Sequence, residues 1–248
     1  MTNHTHAEYI RTVKHAKYAV MLVHGILSTP KFWDDFIKLI PKDYSVYNLL
    51  LEGHGGEVED FSKASMDIWR GQVKGFFDAL TDRYEKIYLV GHSMGTLFSI
   101  QRAIARPDKV AALFLLASPM KVKVKPTVVK YSLRIVFNKV DESLPIERTA
   151  RDTLGIKTTR KMWKYIPWAP RFFELFSEIR KTRPLINKLS VPTYVFQSEL
   201  DELVSPGSCQ YFENLEGVEL VRLHTSSHQC YSDEDKQYLF DRFSSLFL

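Results

Sequence analysis

The stretch Ile87-Tyr88-Leu89-Val90-Gly91-His92-Ser93-Met94-Gly95 decides how this chain folds. Its first four residues are the β-branched, aromatic and aliphatic types that favour a strand. Glycines two before and two after Ser93 call for a turn so tight that a Cβ at either place would strike neighbouring backbone. Thr96 to Ala105 then spaces its apolar residues as a helix and stops ahead of Pro107. A serine hydroxyl is a poor nucleophile unless it is lifted out of its surroundings and set beside a base. A sharp strand-to-helix turn lifts it by holding the serine in a strained backbone conformation. Ser93 is therefore the candidate nucleophile. The backbone N–H of Met94, at the helix start, is a candidate donor to an oxyanion.

Outward from this point, strand-like and helix-like segments alternate. Tyr18–Val23 reads as a strand, and Pro30 opens a helix with Phe32, Trp33, Phe36, Ile37 and Ile40 inward, ended by Pro41. Tyr44–Leu51 is the next strand, and a helix between Ser65 and Arg83 turns Trp69, Val73, Phe76 and Leu80 inward. Val110–Ala117 is apolar enough to be buried on both faces, Pro192–Gln197 and Val218–Leu223 resume the strands, and a last helix from about Ser232 buries Leu239, Phe243 and Leu246. The alternation predicts an α/β fold, a mostly parallel doubly wound sheet with helices on both faces. Residues 120–188 are too long for a plain connection and read as a helical cap insertion in a single domain spanning 1–248, with helices over 131–137, 159–165 and 171–180.

Composition narrows the function classes. With 45% hydrophobic and 25% charged residues, the 248-residue chain reads as ordinary globular protein, not disorder. No apolar run approaches the ~20 residues of a transmembrane helix, and the start of the chain has no apolar core of the secretory kind, so a cytoplasmic location is expected. Cys209 and Cys230 are expected as free thiols. His4, His6 and His15 lack Cys or carboxylate companions at ligand spacing, and no metal site is expected. Residues 120–188 hold 17 Lys and Arg against 6 Asp and Glu, a net +11, leaving −6 on the remainder of the +5 chain. That excess is mostly a solvated surface, but it also suits an anionic or lipid-like partner. No nucleic-acid recognition motif accompanies it. Trp163, Trp168, Phe172 and Phe173 in the same segment read as its apolar underside. Trp163, Trp168 and Phe172 are the expected walls of a substrate pocket.

Taken in order, these elements resemble the α/β-hydrolase family, and within it compact bacterial carboxylesterases and monoacylglycerol lipases with a small helical cap. The resemblance spans residues 18–248. It implies that nucleophile, acid and base follow one another along the chain. Gln197-Ser198-Glu199-Leu200-Asp201-Glu202-Leu203-Val204 is similar to the family's acid loop, with Asp201 as the acid and Glu199 and Glu202 as rivals. Thr225-Ser226-Ser227-His228 stands where the base belongs, with His228 preferred to His224. His24-Gly25-Ile26-Leu27 resembles the oxyanion loop, whose N–H is assigned to Ile26 with Leu27 as the fallback. His24 and His92 are read as structural, and His54 lies in a glycine-rich turn, Glu52-Gly53-His54-Gly55-Gly56, near the site entrance. Two departures stand out: Ser198 replaces a common glycine, and the short N-terminal region leaves room for at most one extra strand.

The resemblance implies a cofactor-independent serine hydrolase that cleaves short-to-medium acyl or monoacylglycerol-like esters through an acyl-serine. Thioester or carbon–carbon hydrolysis on the same triad, and a catalytically silent ligand receptor, are the alternatives. Because His228 acts as a base only when neutral, activity is expected to fall as pH drops below ~6.5.

Overall fold

The computed structural model describes residues 6–248, so His4 lies outside the described residues. Seven strands form one sheet in the order β1-β3-β2-β4-β5-β6-β7. They are β1 (Tyr9–Arg11), β2 (Tyr18–Val23), β3 (Ser45–Leu49), β4 (Lys86–His92), β5 (Val110–Leu116), β6 (Thr193–Ser198) and β7 (Val218–Leu223). Only β1 runs antiparallel, pairing with β3 at the sheet edge; it is the one extra strand that the N-terminal region accommodates.

The side-chain period of a strand explains the double-sided core. Ala19, Met21 and Val23 of β2 pack into one apolar cluster, while Val20 and Leu22 face the other. In β5, Leu113 and Leu115 join the first cluster, and Phe114 and Leu116 the second. Helices supply the covering layers: α1 (Asp34–Ile37), α2 (Val58–Lys63), α3 (Met66–Thr81), α4 (Met94–Ala105), α5 (Pro126–Val136), α6 (Pro145–Thr153), α7 (Ala169–Thr182) and α8 (Asp233–Ser244). Ser65 caps α3 and Ser232 caps α8, each hydroxyl accepting a first-turn backbone N–H.

The structure departs from the sequence reading in places. The helix expected from Pro30 is a 3-10 turn, Pro30–Trp33, followed by the single turn of α1. In α3, Phe77 and not Phe76 completes the buried stripe with Trp69, Val73 and Leu80, while Phe76 packs at its margin. Between β5 and β6 the chain forms α5, α6 and α7 with 3-10 turns at Met162–Trp168 and Arg183–Lys188. Of these, α6 was not anticipated. Its sequence is largely polar, so apolar periodicity gives little signal there.

β2 and β4 are adjacent and parallel, with Val23 beside Gly91, yet their helical crossovers leave in opposite senses because β3 and β5 flank them. That junction is the switch point of the sheet, and the crevice past the carboxyl ends of such strands is where ligands bind in open α/β sheets. His24-Gly25-Ile26 and Ser93 lie there.

Candidate active site

Ser93 joins β4 to α4 with φ +50° and ψ −120°, a conformation L-residues rarely adopt. Its N–H donates to the Leu116 carbonyl at 2.9 Å, which fixes the turn against β5. The two flanking glycines are obligatory for space. A Cβ on Gly91 would lie 2.9 Å from the Thr96 backbone, and one on Gly95 would run into the Val23 carbonyl. The same crowding holds for Gly25, whose Cβ would come within 2.9 Å of the Ser93 Cβ. The loop after β2 is thus packed directly on the serine.

The acid and base come from loops past β6 and β7. Asp201 Oδ2 accepts from His228 Nδ1–H at 2.9 Å and from Gln197 Nε2–H at 3.2 Å. Its Oδ1 accepts the N–H groups of Leu203 and Val204 at 2.8 and 2.7 Å. Burial by itself would raise the Asp201 pKa, but the His228 ring and these donors outweigh it and hold the carboxyl below its ordinary range. Burial likewise opposes a charged His228. The charge and hydrogen bond of Asp201, with the charge of Glu202, outweigh it, so the imidazole pKa lies above the ordinary 6.5. With Nδ1–H given to Asp201, the neutral ring carries its free lone pair on Nε2.

His228 is also held by its main chain. Its N–H donates to Glu202 Oε2 at 3.1 Å, and its carbonyl accepts from His92 Nε2–H at 3.0 Å. The His92 ring lies 4.8 Å from that of His228, so the residue beside Ser93 touches the candidate base directly. Burial lowers the His92 pKa to about 3, so this ring stays neutral. Ser93 Oγ itself makes no hydrogen bond among the described residues. Contacts of this kind commonly tighten only when substrate binds. His224, the rival base, is exposed and pairs with Glu199 at 3.0 Å. Glu202, the rival acid, is engaged by the His228 backbone and by the Tyr131 hydroxyl at 3.3 Å.

The oxyanion loop distinguishes Ile26 from Leu27. Leu27 sits in the left-handed region at φ +59° and gives its N–H to His54 Nε2 at 3.1 Å. Ile26 N–H has no partner among the described residues. Met94 N–H, the first of α4, has none within its helix by geometry. Of the two residues considered for the loop, only Ile26 has an N–H to offer.

A cavity of about 480 Å³ opens beside His228 and Ile26. Most of its remaining wall comes from the segment between β5 and β6, chiefly Val128, Tyr131 and Ile135 of α5, Met162, Tyr165 and Trp168 of the 3-10 turn, and Phe172 of α7. The lining is apolar, as small-molecule sites usually are. Trp168 and Phe172 line this cavity. Trp163 does not: it is 64% exposed and contributes nothing to the cavity, as is Phe173 at 71%. The reason is local geometry. A 3-10 turn repeats every three residues, which aligns Met162, Tyr165 and Trp168 on one face and turns Trp163 and Ile166 to the other. Tyr131, Met162 and Tyr165 were missed as lining residues. The three-residue spacing is the sequence signal for Met162 and Tyr165; Tyr131 lies on α5, outside it.

Among the described residues no helix is long and apolar enough to cross a membrane, and both cysteines are unpaired.

The chain is similar to known proteins along nearly its whole length. The thermostable monoacylglycerol lipase of Bacillus sp. (strain H-257) is 24% identical over 229 residues, covering 90% of this chain and 87% of that protein. A solved structure from a study of LipS and LipT, two metagenome-derived lipolytic enzymes, superposes with a TM-score of 0.73 at 18% identity, over 96% of both chains. The crystal structure of Paleococcus ferrophilus monoacylglycerol lipase does so with a TM-score of 0.68 at 17% identity, covering 97% of this chain and 98% of that one. A model of the hydrolase family described as serine aminopeptidase, S33, matches residues 14–235, nearly the whole chain, and on that match this protein belongs to that family of α/β-hydrolases.

Proposed function

We propose that the protein hydrolyses carboxylic esters of short-to-medium acyl or monoacylglycerol-like type through an acyl-serine, with Ser93 as nucleophile, His228 as base and Asp201 as its partner. The observation that carries this reading is the Asp201–His228 pair, 2.9 Å apart and buried, which commits Nδ1 to the carboxylate and leaves Nε2 free to accept a proton, in a loop bonded to His92, the neighbour in sequence of the strained Ser93. His228 Nε2 takes the Ser93 proton as Oγ attacks the ester carbonyl, then hands it to the leaving alcohol. Asp201 stabilises the imidazolium formed between these steps. The oxyanion is met by the N–H groups of Ile26 and Met94, each typically worth ~10²–10³ in rate. Water then repeats the sequence on the acyl-serine. No step calls for a cofactor.

We read the segment between β5 and β6 as a cap whose apolar inner wall receives the acyl chain. Its net charge of +11 favours anionic or lipid-like esters. A panel of aryl esters and monoacylglycerols of increasing chain length, run with neutral and anionic members across a salt series, tests both parts. Turnover peaking at short-to-medium chains, with a steeper salt loss for the anionic members, is the expected result. No hydrolysis of any ester defeats the assignment; equal salt dependence removes the preference for anions alone.

A further inference from the structure

The glycine-rich turn around His54, to which the reaction gives no role, is wired to the loop on which the reaction depends. Leu27 has both its N–H and its carbonyl engaged, by different parts of the chain. The N–H donates to His54 Nε2 at 3.1 Å, and the carbonyl accepts from Gly155 N–H at 2.7 Å.

A backbone N–H can only donate, so His54 Nε2 is bare and the ring proton sits on Nδ1. There the carbonyls of Leu51 and Glu52 accept it at 3.1 and 3.3 Å. His24, whose ring lies 4.8 Å from that of His54, obeys the same logic. Its Nε2 accepts from Leu51 N–H at 3.1 Å and its Nδ1–H donates to the Gly25 carbonyl at 2.8 Å. Burial pushes the His54 pKa down to about 4 and that of His24 well below its ordinary value, so both rings stay neutral in these roles.

The opposite side is built from the helical insertion. Gly155 lies between α6 and the Met162–Trp168 turn. Its carbonyl accepts from Gly55 N–H at 2.6 Å, and Lys157 N–H donates to the Gly56 carbonyl at 2.9 Å. With a parallel bridge between Glu57 and Lys157, residues 55–57 and 155–157 run side by side against the loop. Only glycine fits at 155. A Cβ there would lie on the Ser28 carbonyl oxygen and 2.8 Å from the Thr29 Cγ2.

We propose that His54 and Gly155 are positioning residues of the oxyanion hole, clamping Leu27 from opposite sides so that the Ile26 N–H stays aimed at the reacting carbonyl. The insertion is then a structural part of the hole as well as a wall of the cavity, and any motion that lifts residue 155 disarms the enzyme. This inference rests on the ester-hydrolase reading above.

The test measures p-nitrophenyl butyrate hydrolysis by His54→Leu, His54→Gln, Gly155→Ala and the His54→Leu/Gly155→Ala double variant. His54→Leu is expected to lower kcat about 10- to 100-fold with KM within about twofold, the pattern of a donor displaced by a fraction of its reach. His54→Gln, whose amide oxygen stands near the Nε2 position, restores most of that loss. Gly155→Ala lowers kcat similarly, and the double variant loses less than the product of the two because both act on Leu27. In the wild-type protein, 15N NMR of the imidazoles shows His54 as the neutral Nδ1–H tautomer from pH 8 to pH 5. Unchanged kcat in His54→Leu, a glutamine variant no better than the leucine one, or an Nε2–H tautomer overturns the clamp. Should the leucine variant fail to fold, Gly155→Ala and the wild-type NMR carry the decision. A wild-type protein without esterase activity refutes the proposed function instead, whereas an active wild type matched by His54→Leu and Gly155→Ala refutes only the clamp.

Discussion

The carboxyl edge of the sheet and the segment between β5 and β6 face each other across one cavity but are built on opposite terms. At the sheet edge the groups around the candidate acid and base are tied together by hydrogen bonds. Asp201 accepts four hydrogen bonds, His92 and His228 are joined, and Leu27 is held at both ends. In the segment between β5 and β6, side chains of one chemical type point both ways. Phe172 lines the cavity while Phe173 faces solvent; Trp168 is buried and donates to the Val58 carbonyl at 2.8 Å, while Trp163 is exposed. The contrast separates two tasks. Under the proposed function, backbone and buried neutral rings fix the reacting geometry, and replaceable apolar side chains set which acyl group fits.

Variants on the two sides should therefore differ in kind. Asp201→Asn has the largest expected effect, a loss of about 10⁴ in kcat with little change in KM, because the His228 tautomer is no longer enforced. Steady-state kinetics on any turned-over ester reads it, and a loss below tenfold would break the account of the sheet edge. Gly25→Val comes next. Its side chain has no room beside Ser93 Cβ, and displacing the loop is expected to cost about 10²–10³ in kcat. Full activity in a folded Gly25→Val protein would argue against the Ile26 donor.

On the other side, Phe172→Ala is expected to lower kcat/KM about tenfold for the longest acyl chains and little for acetate esters, whereas Phe173→Ala leaves the chain-length profile unmoved. Equal profiles for the adjacent pair would erase the distinction between lining and solvent positions.

The smallest effect belongs to Glu202→Gln. Protonated His228 cannot accept the serine proton, so the rate falls as pH drops through its pKa, which the carboxylates hold above 6.5. The expected fall therefore begins above the ordinary histidine value. Glutamine keeps an acceptor for the His228 N–H but removes the charge, so the acid limb of kcat/KM moves to lower pH by up to about one unit. An unmoved limb would leave Glu202 as a purely structural partner.

How far the sequence could be read follows the same division. The elbow was legible because its glycine positions are forced by backbone collisions, whereas Asp201 was singled out from Glu199 and Glu202 only with the help of the family resemblance. Ile26 was preferred to Leu27 through the resemblance alone, since the acceptor that engages Leu27 lies on His54, 27 residues away. Gly155 carried no signal of its own: nothing local reveals that its missing side chain makes room for Ser28. Trp163 was misplaced because a 3-10 turn and an α-helix distribute the same aromatics differently. The polar α6 gave periodicity nothing to detect.

Mass spectrometry after incubation with a fluorophosphonate probe tests the central claim most directly. The account predicts a covalent adduct on the peptide carrying Ser93, formed rapidly in the wild-type protein and suppressed in a folded His228→Ala variant. No adduct on Ser93, or one that forms equally fast without His228, would contradict it.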